Sequence, residues 1–135
     1  MANEWKWLRN GHGAPLTVVV TAGSAALTNG QPLKVSSNVA EAVGDGETVD
    51  LVAYQDADAS ADLVAILPIG DVFEVTTNAD LGAFDRAYPA ASNKIDAGSS
   101  GNISNMFVVD GNPASGGLAR VAVFSNFATA VTHTA

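Results

Sequence analysis

The chain has 135 residues of one continuous compositional type, enough for one domain with a core of its own. It has no cysteine, which excludes disulfides and thiolate metal sites. No run approaches the roughly 18 apolar residues needed to span a membrane, and residues 1–13 lack the apolar centre of a signal peptide. The formal charge is −8, from 14 acidic against 6 basic groups. Eleven of the carboxylates fall between Glu41 and Asp85, a stretch with no lysine or arginine. Such a face repels phosphate backbones, so no nucleic-acid partner is expected. Of the apolar residues 24 are alanine, so each buries little area, and neighbours are expected to supply part of the stability.

In chain order, the first segment, MANEWKWLRNGHG, holds both tryptophans and a net positive charge. Alternation puts Trp5 and Trp7 on one side if it is extended, so it reads as an arm able to add a strand to a partner or to cap its own core. Leu16–Thr21 is short and β-branched, a strand between Pro15 and Gly23. Thr28-Asn29-Gly30 reads as a turn. Gln31–Ser36, Val39–Val43 and Val49–Tyr54 alternate as half-buried strands, the first two separated from the third by the turn Gly44-Asp45-Gly46-Glu47.

The next segment, Asp62–Val75, is too long and too interrupted for one straight strand. It reads as two pieces joined by a kink near Pro68–Asp71, with Leu67, Ile69, Phe73 and Val75 on the core face and Ile66 and Val72 open to a neighbouring subunit. Thr76–Asp80 is a turn, and Leu81–Tyr88 is compatible with a short helix or a loose strand. Ala91–Asn102 reads as a long exposed loop around Ile95. Ile103–Asp110 recovers β character, GNPASGG (111–117) is a turn, and Leu118–Phe124 is a last strand whose alternation slips by one step, as at a bulge. No short repeat is evident. The fold class is therefore all-β, a small β-barrel or β-sandwich-like domain of seven to nine short strands over 15–124, with extended terminal arms at 1–14 and 125–135.

Chemistry is sparse. Asp56, Asp58, Ser60 and Asp62 place oxygens at alternate positions as a calcium loop would, but Ala61 and Leu67 stand where that motif needs glycine and glutamate. His12 and His133 lie near opposite ends, unpaired with a nucleophile. No Gly-x-Ser-x-Gly elbow occurs, and no phosphate-loop spacing. No catalytic residue, no metal ligand and no cofactor is assigned, and an enzyme is not expected. Among the arm residues Trp5, Lys6, Trp7, Leu8 and Arg9, tryptophan and arginine are of the types that anchor protein interfaces, so the arm reads as a contact for an apolar groove with an acidic rim.

The runs PLTVVVTAGSAALTNGQPLKVSSNVAEAVGDGE, LVAILPIGDVFEV and SNKIDAGSSGNISNMFVVDGNPASGGLARVAVF resemble the capsid decoration, or cement, proteins of tailed bacteriophages over about four-fifths of the chain. That resemblance implies a virion protein made in the host cytoplasm and carried on the outer surface of the head. It implies a homotrimer that bridges neighbouring subunits of the major capsid protein and so stabilises the shell. Trp5, Trp7, Leu8 and Arg9 are then candidates for contact with the shell, with Lys6 beside them, and residues 1–13 are expected to be removable without loss of the fold. A glycan-binding or host-attachment module is the alternative, favoured if aromatic rings gather in a shallow groove beside Asp or Asn.

Overall fold

The computed structural model describes residues 3–10, 13–111 and 114–124, and the backbone of 131–132. Among these residues are thirteen short strands: β1 Lys6–Arg9, β2 Thr17–Ala22, β3 Pro32–Ser36, β4 Val39–Ala42, β5 Leu51–Ala53, β6 Asp62–Ile66, β7 Val72–Thr76, β8 Arg86–Pro89, β9 Ile95–Asp96, β10 Ile103–Ser104, β11 Met106–Gly111, β12 Leu118–Val123 and β13 Val131–Thr132. The all-β expectation holds, but the strands exceed the expected seven to nine because β1 and β13 lie in the segments expected to be arms, β9 lies in an expected loop, and Asn105 separates β10 from β11. The segment 81–88, open between helix and strand from its sequence, supplies a loop and then β8.

Strands β2-β4-β3-β5-β6 close into a barrel, and β1-β7-β12-β11-β8-β9 form a six-stranded sheet. Each body has its own core. Inside the barrel lie Ala22, Leu27, Leu33, Ala40, Leu51, Ala53, Leu63 and Ala65, with Leu67 packed against them. Four alanines and four leucines fill this interior, small beside large, as the narrow space of a five-stranded barrel requires. The second core contains Val52 and Ile66 from the barrel strands, together with Trp5, Phe73, Val75, Met106, Val108, Val121 and Val123 from the sheet side. Asn105 ties the two bodies, its side chain accepting from the Val49 N–H and donating to the Val49 carbonyl, as a neighbouring strand would.

The barrel contains a repeat that the sequence conceals. Leu27 and Ala57 form a reciprocal antiparallel bridge, the Gly30 N–H donates to the Ala53 carbonyl, and the Ser60 N–H donates to the Gly23 carbonyl. Thr28–Gln31 and Asp58–Ala61 are thus equivalent turns, leading into β3 and β6. Their residue identities share almost nothing, so the sequence shows no repeat. The acidic stretch 56–62, whose oxygen spacing is that of a calcium loop but whose other positions are not, contains one of these two turns. Asp56 there accepts from the Asn29 N–H at 2.7 Å and Asp62 accepts from the Thr21 hydroxyl at 2.9 Å, so its carboxylates serve separate contacts.

Several expectations are corrected. Ile66 is fully buried, not open to a neighbouring subunit: it does face out of the barrel, but this chain's own sheet covers it. Ile69, expected in the core, is 48% exposed, because residues 68–71 form a turn in which strand alternation does not apply. Ile95 is buried and paired in β9 rather than lying in an exposed loop. The irregularity expected in the last strand falls opposite it, between Val108 and Asp110 of β11. Residues 3–10 of the expected arm 1–14 are not a free arm, since β1 is hydrogen-bonded to β7 and Trp5 is 2% exposed. In the expected C-terminal arm, β13 pairs with β10. Phe127, His12 and His133 lie outside the described residues.

Candidate functional site

The six-stranded sheet buries one face against the barrel, and on its other face the described residues of β1, β7, β12 and β11 are partly or fully exposed. Register decides which residues go where. Ala87, Met106 and Val123 stand side by side, as do Val108, Val121, Phe73 and Trp7, and these rows turn inward. The rows between them turn outward: Arg86, Phe107, Ala122, Val72 and Arg9 in one, and Asp110, Arg120, Glu74 and Lys6 in the next. Asp110 accepts from Arg120 at 3.0 Å and from Arg9 at 3.5 Å, forming a half-exposed ion cluster across strands. Exposed pairs of this kind add little stability.

One end of this face carries an aromatic hollow of about 340 Å³ lined by Phe84, Arg86, Phe107 and Phe124. Phe84 stacks on Phe107 with ring centres 6.2 Å apart, and Phe107 meets Phe124 at 6.1 Å. The Arg86 guanidinium lies 5.2 Å from the centre of the Phe124 ring, within cation–π range. Phe84 is 75% exposed. Its turn is held by the Phe84 N–H donating to Val108 and by the Asp85 carboxylate accepting from the Gly82 N–H.

The structure divides the arm candidates. Lys6 and Arg9 reach the outer face, where Val72 also lies, between Arg9 and Ala122. Trp5 and Trp7 point the other way. The Trp5 ring packs on Phe73 and donates to the Asn93 carbonyl, while the Trp7 indole donates to the buried Asp71 carboxylate. Leu8 is the extra residue at an irregularity in β1, half-buried. The sequence reading missed Phe84, Arg86, Phe107, Phe124 and Arg120. Phe107, between the apolar Met106 and Val108, carried the available signal, because strict alternation sends it outward.

Two titratable groups are displaced, both by burial. Asp50 is pushed above the ordinary carboxylate range by loss of solvent, partly opposed by the Val35 N–H that it accepts, with the Glu47 charge adding to the rise. Tyr88 is raised by burial and lowered less by Arg86. Neither belongs to a group of three or more His, Cys, Asp or Glu side chains placed to hold a metal, none of which occurs among the described residues.

These features define a class: a two-body β module whose sheet carries aromatic and basic side chains on its outer face. A solved structure has the same fold, the N base of head fiber gp8.5 of bacteriophage phi29, with a TM-score of 0.61 and 13% sequence identity, covering 84% of this chain and 98% of that one. No protein-family profile and no curated protein matches the chain by sequence.

Proposed function

We propose that this chain is a structural protein of a tailed-phage head, carried on the outer surface of the capsid and bound to the major capsid protein. The observation that carries this reading is the fold it shares, over most of both chains, with the base of a phage head fiber. The small-residue barrel and the exposed aromatic residues of the sheet's outer face suit a protein that gains stability by docking. Its role is mechanical rather than catalytic. Many copies, each self-associated as a homotrimer and each spanning neighbouring shell subunits, raise the cost of separating those subunits through multivalent contact. No membrane and no nucleic acid enters the reading.

The glycan alternative is less well supported. Sugar recognition uses a stacking ring beside planar polar groups that bind hydroxyls, and the hollow offers three phenylalanines with Arg86 as its one polar side chain. The test is reconstitution: purified chain is added to heads of the phage that encodes it, assembled without it, and imaged by electron cryomicroscopy. Ordered density on the shell and a raised temperature of DNA release are expected. Bare heads at saturating protein would refute the proposal.

A further inference from the structure

We propose that the outer face of the six-stranded sheet is the docking side, that the surface it docks on is an acidic protein surface, and that Phe84 is its anchor. The inference rests on the head-protein reading for the identity of that surface, and on three observations for its chemistry.

The first is how charge is divided. Lys6, Arg9, Arg86 and Arg120 stand on this face against Glu74, Asp110 and, beside Tyr88, Asp96. The rest of the chain keeps two basic residues, Lys34 and Lys94, against eleven of the fourteen carboxylates. A protein of charge −8 thus presents one locally positive face. That face is complementary to an acidic partner, and it is the side on which such a partner meets least repulsion.

The second is the backbone at Phe84. Seven tight turns share one plan, in which the fourth N–H donates to the first carbonyl and the third residue alone has positive φ. That third residue is Gly30, Gly46, Gly70, Gly101 or Gly116 in five of them and Ser60 in a sixth. In the seventh it is Phe84, at φ 66°. A bulky side chain is disfavoured in this conformation, and glycine would fill the same turn without strain. The turn therefore holds an aromatic ring out in water at a conformational cost that the fold itself does not require, a pattern associated with functional sites.

The third is composition. Phe84, Phe107, Phe124 and Arg86 form one contiguous apolar and cationic hollow, continuous through Ala122 with Val72. Aromatic residues and arginine are the types enriched at the energetic centre of interfaces, and the flanking charges would form the rim.

The experiment uses full-length protein and heads assembled without it, measured by co-sedimentation over a range of sodium chloride concentrations. Phe84→Gly should melt at or above the wild-type temperature yet bind at least about tenfold more weakly. Arg86→Glu and Lys6→Glu should also weaken binding, most at low salt, and flatten its salt dependence. Val19→Ser, on the exposed outside of the barrel, should bind as wild type. Wild-type affinity in the sheet-face variants, or loss confined to Val19→Ser, overturns the docking face while leaving the head-protein reading intact. Failure of the wild type to bind heads overturns both. A labelled single-stranded DNA retained through Arg86 and Lys6, or a wild-type oligomer dissolved by Phe84→Gly with head binding unchanged, assigns the face elsewhere and also overturns the proposal.

Discussion

Replacing Trp5 by alanine separates an arm from a core strand. If Trp5 were an anchor displayed on a free arm, its loss would weaken docking and leave folding untouched. In the structure the ring is 2% exposed, lies 5.9 Å from Phe73, and donates through its indole N–H to Asn93 at 2.9 Å. A buried tryptophan removes roughly 150–250 Å² from water. At about 25 cal/mol per Å² that amounts to about 4–6 kcal/mol as an upper bound. Large-to-small substitutions of buried aromatic residues cost about 3–5 kcal/mol, and the orphaned carbonyl adds about 1 kcal/mol. We therefore expect a loss of about 4–5 kcal/mol, a large share of the roughly 5–15 kcal/mol that holds an ordinary domain. With a urea slope of about 2 kcal/mol per molar, the midpoint should fall by about 2 M. Deleting residues 1–10 should abolish cooperative unfolding altogether. A midpoint within about 0.3 M of wild type for Trp5→Ala, at unchanged slope, would refute the core assignment.

Other outcomes follow from particular atoms. At Gly98, φ is 78° and an added Cβ would lie 2.5 Å from the Tyr88 ring, so Gly98→Ala should cost about 2–4 kcal/mol, through overpacking as well as backbone strain. At Gly70, φ is 84° with nothing within 4 Å, so Gly70→Ala should cost only about 1 kcal/mol. Equal losses in thermal melts would show that packing at Gly98 is not the cause. Asp50 has a native pKa raised above its ordinary 3.8, so the folded chain binds that proton more tightly than the unfolded chain. The resulting stability is present below that ordinary value and is lost as pH rises through the native one. Asp50→Asn should thus exceed wild type in stability at neutral pH, with the advantage shrinking in acid. A difference that stays constant from about pH 3 to pH 8 in urea titrations would remove the buried carboxylate as its source.

Much of the fold was legible because its punctuation is chemical. Gly30, Gly46 and Gly70 mark turns that only a residue tolerant of positive φ fills easily, and the strands between them alternate as half-buried strands must. What alternation cannot say is what lies on the far side. Ile66 was correctly placed on the outside of its barrel, and the element that covers it starts beyond the next turn. Trp5 and Trp7 were correctly placed on one side of an extended segment, but their partners Phe73 and Asp71 are more than sixty residues away. The aromatic hollow was illegible for the same reason. Phe84, Phe107 and Phe124 come from a loop, β11 and the end of β12, and no local pattern joins them. Phe84 also stands where turn chemistry favours glycine, so its conformation runs against the residue's own preference.

The link between Ile66 and Val72 joins the two bodies directly. Leu67 ends the barrel strand by donating to the Leu16 carbonyl, and Gly70 donates to Val123 of the sheet, so the turn is bonded to both bodies. Asp71 then makes three bonds from one buried residue: its N–H donates to Pro68, its carbonyl accepts from Val123, and its carboxylate accepts from the Trp7 indole. β7 therefore leaves the turn already fixed to both of its sheet neighbours, β1 through Trp7 and β12 through Val123. Val72 on the outer face is thus joined to Ile66 and the barrel by a turn hydrogen-bonded to both bodies. Proline and glycine, which would weaken a central strand, here give a short connection between the two cores: Pro68 needs no donor in a turn, and Gly70 takes the positive φ that brings its N–H to Val123.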